Sequence, residues 1–302
     1  QKTAYDALGS YKGTVIVLEP STGKILAMVS RPDYDPNMID SNWTEISGSD
    51  ESVLVNRATQ GLYPPGSTFK IVTLLEYLRE GNDLENWTYE CGGSYTEDDV
   101  TINCYHKKSH GTLDLKTAFA KSCNGAFAKI GLEIDKTAFR STCDGLLFNK
   151  DLPLDIPYKQ SAVSLNKNLA TGTMMQTAIG QATTEVTPMH MALLVSAIAN
   201  GGNLMEPYLI DSIENYRGEQ VKKYMPSTYG KLMTAAEAEF LTEYMTEAVL
   251  SGTASALQSE AYTAAGKTGT AEYSSDKSKS HAWFVGFSNV ADPDLAVCVL
   301  VE

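Results

Sequence analysis

The spacing of apolar and polar positions puts strands at both ends of the chain and helices between them. Thr14-Val15-Ile16-Val17-Leu18 and Ile25-Leu26-Ala27-Met28-Val29 are short apolar runs joined by Glu19-Pro20-Ser21-Thr22-Gly23-Lys24, which predicts a β-hairpin. Ala282 to Phe287 and Leu295 to Val301 are apolar on both faces, as in sheet strands covered on two sides, with a turn at Asp292-Pro293-Asp294. A further strand is expected within Tyr262 to Tyr273. Helical spacing starts at Ser67, just after Pro64-Pro65-Gly66, with Phe69, Ile71, Val72, Leu74, Leu75 and Leu78 on one face and Gly81 as the stop. Thr187-Pro188 opens a second helix through Met191, Leu194, Val195 and Ile198, ended by Gly201-Gly202. Thr234 with Glu237 forms a capping box for a third, through Phe240, Leu241, Met245 and Val249 to Gly252.

Between these elements the pattern weakens. Residues 31–50 read as a long surface excursion, residues 81–112 as a polar segment, and residues 141–180 carry no clear period. Leu113 to Ala120 is helical, Lys121-Ser122-Cys123-Asn124-Gly125 interrupts it, and Phe127 to Leu132 resumes it. A polar loop between two helices can present side chains into a cleft. We therefore expect an α/β (α+β) fold: a mostly antiparallel central sheet flanked by helices, with an inserted all-helical lobe. The sheet lobe would take about residues 11–62 and 190–302, the helical lobe about 63–190, and the cleft between them would have Ser67 at its floor.

The chain has 302 residues, 43% of them hydrophobic and 20% charged, the range of a globular protein with ample core. A formal net charge of −13 argues against a nucleic-acid partner. No apolar run is long enough to span a membrane, and the chain opens at Gln1 without a methionine, so we read it as a fragment. Cys123, Cys143 and Cys298 sit among apolar residues as core cysteines do. Cys91 and Cys104, with His106 and His110 close by, allow a disulfide, a zinc site or unlinked thiols.

Three short motifs carry chemistry. In Ser67-Thr68-Phe69-Lys70 a hydroxyl and an amine lie one turn apart at a helix start, where the amine can take the proton of a serine nucleophile. In Ser122-Cys123-Asn124 a second hydroxyl can relay that proton and an amide can position a substrate. In Lys267-Thr268-Gly269-Thr270 the side chains can hold a carboxylate, and Gly269 lets another backbone approach. The backbone N–H groups of Ser67 and Thr270 would form an oxyanion hole. Alone, each motif has an ordinary structural explanation: an N-cap, a loop, an edge strand with a charged residue.

In this order and at this spacing, the three motifs resemble those of penicillin-binding proteins and serine β-lactamases. The chain is most similar to a monofunctional class B transpeptidase domain across 1–302, including Tyr63-Pro64-Pro65-Gly66, Gly180-Gln181 and His281 to Phe287. The resemblance implies a serine D,D-transpeptidase acting at the D-Ala-D-Ala end of a peptidoglycan stem peptide and acylated by β-lactam antibiotics. Ser67, Lys70, Ser122 and Lys267 would be catalytic, and Asn124, Thr268, Gly269 and Thr270 would bind substrate. Lys267 would lower the pKa of Lys70 by repulsion. No cofactor and no metal is needed for that chemistry. The resemblance further implies a membrane-anchored parent on the extracytoplasmic face of a bacterial membrane, working with the cell-wall synthesis machinery. The pedestal and the terminal helix usual in the class are missing from the sequence. A β-lactamase or β-lactam sensor, a D,D-carboxypeptidase and a non-catalytic binding module are the competing readings.

Overall fold

The computed structural model describes residues 1–272 and 280–302. The chain opens with α1 (Lys2–Leu8), followed by the expected hairpin of β1 (Gly13–Leu18) and β2 (Ile25–Arg31). The 31–50 excursion lies on the surface, but it is not devoid of structure: it carries α2 (Ile39–Ser47), a helix with no buried residue. A 3-10 turn, Gly66–Phe69, runs directly into α3 (Lys70–Arg79).

The region expected to be all helical also holds four short strands. β3 (Thr88–Cys91) pairs with β6 (Gly111–Asp114), and β4 (Ser94–Glu97) pairs with β5 (Val100–Asn103). The helices α4 (Leu115–Ala120), α5 (Asn124–Glu133), α6 (Lys136–Gly145) and α7 (Thr171–Ala178) follow. α7 and the second half of α6 occupy ground where the sequence showed no period. Each is eight to ten residues long and held mainly by tertiary packing.

α8 (Pro188–Ala199) is buried continuously from Pro188 to Ile198, which explains its lack of a polar face. Thr187 Oγ1 accepts from the His190 backbone N–H at 3.3 Å and sets its start. A cap contributes about 1 kcal/mol, whereas each fully buried Leu, Ile or Val contributes about 1.5–3 kcal/mol. Burial therefore holds this helix, and the cap fixes its register. β7 (Asn203–Met205) pairs with β10 (Thr228–Lys231), and β8 (Ser212–Glu214) pairs with β9 (Gln220–Lys223). α9 (Ala235–Leu250) has both halves of the expected capping box between Thr234 and Glu237.

β11 (Ala264–Glu272), β12 (Ser280–Ser288) and β13 (Ala296–Val301) complete an antiparallel sheet in the order β11-β12-β13-β1-β2. Tyr273, the last residue of the expected strand, lies outside the described residues. The two chain ends thus meet at the middle of the sheet, with Ile16 opposite Cys298. α8 lies against β13, β1 and β12, and α9 lies against β11. On the other face Leu8 of α1 packs with Val15 and Val29. β11 is left as an edge.

Candidate active site

The turn before Ser67 is anchored from three directions. Tyr63 exchanges backbone hydrogen bonds with Val186 at 3.0 and 2.9 Å. Trp283 Nε1 on β12 donates to the Pro64 carbonyl at 3.0 Å, and Gly66 N–H donates to the Gly180 carbonyl at 2.9 Å. Gly66 has φ +53°, and a Cβ there would lie 2.5 Å from the Thr270 carbonyl oxygen. Only glycine lets this turn rest on β11. Ser67 therefore sits on a 3-10 turn rather than in the first turn of an α-helix. The Lys70 backbone N–H donates to the Ser67 carbonyl, so the two residues close one turn of this 3-10 segment. Ser67 is half-buried; Lys70 is fully buried.

Lys70 Nζ donates to Asn124 Oδ1 at 2.7 Å, to the Ser122 carbonyl at 2.8 Å and to Ser122 Oγ at 3.3 Å. The Phe127 ring centroid lies 5.4 Å from the nitrogen. Burial brings its pKa down to about 8, with Cys123 and Cys104 pulling the other way. The sequence reading assigned this lowering to repulsion by Lys267; desolvation of Lys70 itself comes first, and the repulsion between the two amines is present beside it. The repulsion acts on Lys267, which burial first and Lys70 second push well below the ordinary lysine value. Two fully buried amines cannot both carry charge, so they titrate as a pair.

The Ser122-Cys123-Asn124 stretch is a corner between two helices with a defined hydrogen-bond pattern. Ser122 N–H donates to Phe119 O at 3.0 Å and Cys123 N–H to Ala118 O at 2.9 Å, which closes α4 in a Schellman motif. Ser122 has φ +56° and occupies the left-handed position that glycine usually takes. A side chain there costs about 1–2 kcal/mol, so the hydroxyl is held at that point against local preference. Cys123 then caps α5, its Sγ accepting from Ala126 N–H at 3.5 Å. Asn124 is the first residue of α5, and its Nδ2 donates to Asn103 O at 2.9 Å.

Along β11 burial alternates, with Lys267, Gly269 and Ala271 inside and Thr268 and Thr270 toward the open side. Lys267 Nζ donates to the Thr268 carbonyl at 2.9 Å, 5.6 Å from the Phe119 ring centroid. The strand turns Lys267 inward, and of the three side chains expected to hold a carboxylate Thr268 and Thr270 are the ones on the open side. Gly269 is also explained differently. A Cβ there would meet Thr68 Cγ2 at 2.9 Å and Pro65 O at 3.0 Å, so the backbone that approaches it is the protein's own turn around Ser67. One residue escaped the sequence reading. Thr253 Oγ1 hydrogen-bonds Thr268 Oγ1, and its N–H donates to Ala120 O at 3.0 Å, tying the end of α9 to both β11 and α4. Its only signal was the polar Ser251-Gly252-Thr253 after a well-capped helix.

The cysteine segment is rearranged relative to expectation. Cys91, Cys104 and His110 come together, but His106 is exposed on a separate turn, and Cys123 joins the group in its place. The Cys91 and Cys104 sulfurs are 3.7 Å apart, far beyond the disulfide bond length of about 2.05 Å.

Comparison with known proteins places this arrangement. Residues 13–302 match the family model for the penicillin binding protein transpeptidase domain. The chain is 34% identical over its whole length to a peptidoglycan D,D-transpeptidase, PbpA, of Mycobacterium tuberculosis, and it spans 65% of that relative's length. A D,D-transpeptidase domain of a peptidoglycan glycosyltransferase from Eggerthella lenta superimposes with a TM-score of 0.94 at 30% identity, over 100% of this chain and 76% of that one. Penicillin-binding protein A of M. tuberculosis, solved as its penicillin G acyl-enzyme complex, gives 0.88 at 31% identity, over 100% and 72%.

Proposed function

The chain belongs to the penicillin-binding protein transpeptidase family, and from that premise we propose that it is a serine D,D-transpeptidase that cross-links peptidoglycan stem peptides. The observation that carries the reading is the buried Lys70 amine bonded to Asn124 and to both the carbonyl and the hydroxyl of Ser122, one turn after Ser67. With a pKa near 8, a sizeable fraction of this amine is neutral at working pH and able to accept a proton.

In the proposed reaction Ser67 Oγ attacks the carbonyl between the two terminal D-alanines, and its proton passes to Lys70. Thr268, Thr270 and Thr253 hold the terminal carboxylate, and the N–H groups of Ser67 and Thr270 stabilise the oxyanion. Gly66 packed on the Thr270 carbonyl supports the pairing of those two donors. The C–N bond breaks, Ser122 relays a proton from Lys70 to the departing D-alanine amine, and the acyl group stays on Ser67. An amine from a neighbouring stem then attacks the ester, forms the cross-link and regenerates the serine. Lys267, bonded to the Thr268 carbonyl, holds β11 beside Lys70, and Gly269 keeps β11 against the nucleophile turn. β11, as an edge strand, offers an extended peptide a place to pair. A β-lactam enters the same path and stops at the acyl-enzyme.

Among the described residues no helix is long and apolar enough to cross a membrane. An anchored parent outside the cytoplasm, in contact with the cell-wall machinery, is part of the same proposal. The test is to supply a D-Ala-D-Ala stem peptide and an amine acceptor and analyse the products by mass spectrometry. Cross-linked product in excess of hydrolysed donor is expected. Hydrolysis alone identifies a carboxypeptidase, and steady turnover of a chromogenic cephalosporin identifies a β-lactamase.

A further inference from the structure

We propose that Cys91, Cys104, Cys123 and His110 bind a zinc ion, and that this ion fixes the Ser122-Asn124 corner against Lys70. Three sulfurs and a ring nitrogen converge within 4.8 Å of one another. The sulfur separations are 3.7 Å for Cys91–Cys104, 3.7 Å for Cys104–Cys123 and 3.4 Å for Cys91–Cys123. His110 Nδ1 lies 3.2 Å from Cys91 Sγ. A tetrahedral zinc with bonds of about 2.3 Å to sulfur requires edges of about 3.8 Å, close to what is seen. The imidazole nitrogen turned onto the same point supplies the fourth donor of the set. Thiolate and imidazole donors in a closed tetrahedral set favour zinc over the oxygen-seeking cations.

The connectivity shows what the ion would do. Cys91 ends β3, Cys104 follows β5, His110 precedes β6, and Cys123 is the middle residue of the corner. Short two-stranded ribbons with exposed faces have little apolar area to hold them. Around Cys91 the chain is drawn in by His110 N–H and Ser109 Oγ, which donate to Cys91 O at 3.1 and 2.7 Å. The residues on either side of Cys123 both bond Lys70, and Asn103, next to Cys104, accepts from Asn124. The Ala126 N–H that donates to Cys123 Sγ is the kind of outer partner that orients a metal-bound thiolate. The ion would thus be structural, at one remove from the reacting atoms, and Cys123 would act as a positioning residue.

The metal site stands on its own geometry, while its effect on acylation rests on the transpeptidase reading. The test keeps the two apart. Protein purified without added zinc should carry about one zinc per chain by elemental analysis. After chelation, Co²⁺ should restore binding with the visible d–d bands of a tetrahedral site and sulfur-to-cobalt charge transfer. Cys123→Ser and the milder His110→Asn should both lower metal content, the second keeping the tested chain folded if the first does not; Cys143→Ala should leave it unchanged. Zinc far below one per chain with no cobalt spectrum, or a disulfide among these cysteines by mass, overturns the site. If zinc is present, removing it should slow acylation by penicillin on the order of a hundredfold, the loss expected for a displacement of about 1 Å. An unchanged rate in zinc-free, folded protein overturns the positioning role and leaves the metal site standing.

Discussion

β11 reaches the cleft as one strand of a five-stranded sheet, whereas Ser122 and Asn124 reach it on a corner between two short helices. The strand is held by many small contributions: β12 pairs with it along its whole length, α9 covers it, and its inward positions alternate with its outward ones. The corner is held by few and specific ones: the two bonds that close α4, the Lys70 contacts, and the sulfur cluster around Cys123. One side rests on close packing spread along a strand; the other depends on single groups and carries a left-handed serine. The difference shows that the same site can be positioned by distributed burial on one side and by a few exacting bonds on the other.

The sharpest way to separate the two is Ser122→Gly. Loss of the relaying hydroxyl should slow β-lactam acylation by about 10²–10⁴-fold. Folding stability should change by less than about 1 kcal/mol, because glycine suits φ +56° at some cost in chain entropy. Stopped-flow acylation and thermal denaturation of the same preparation check both halves; a large stability loss would show that the corner is not strained.

Gly269→Ala probes the sheet side. Its Cβ would press on Thr68 and Pro65, so either the turn or the strand must move. We expect roughly a hundredfold slower acylation together with a stability loss of about 1–3 kcal/mol. Here activity and stability should fall together, unlike at Ser122.

The pH profile tests the group that both sides share. Lys70 is held by burial at about 8, so below that pH it is protonated and cannot accept the serine proton. Acylation should rise about tenfold per pH unit up to roughly 8 and then level off. A profile that keeps climbing toward an ordinary lysine value would remove the buried amine from the account.

The smallest effect is expected at Thr253→Val. It deletes one hydrogen bond to Thr268, about 0.5–1.5 kcal/mol. A several-fold rise in the concentration of carboxylate-bearing substrate needed for half-saturation, with little change in maximal rate, is the expected readout.

Legibility in the sequence follows the same division. The hairpin, α8, α9 and the terminal strands were readable because burial imposes a period and caps mark the ends: Thr187, and Thr234 with Glu237. β3 to β6 were not, since four residues are too few to establish a period, even in β3, where burial does alternate. α6 and α7 were hidden for a related reason, their polar residues being interspersed with threonine and glycine. The motif residues were nameable from order and spacing, but their orientations were not. That Lys267 faces inward, and that Gly269 receives Pro65 and Thr68, depend on how the strand meets the turn. Cys123 looked like core because it is core; its partners Cys91 and Cys104 lie 32 and 19 residues away, and only folding brings them together.

The central claim concerns the oxygen of Ser67, and the most direct measurement is intact mass after incubation with penicillin G, followed by proteolysis and mapping of the adduct. The account predicts a gain of one whole penicillin per chain, located on the peptide that contains Ser67, and no gain in Ser67→Ala. An adduct on any other residue, or undiminished labelling of the alanine variant, would contradict it.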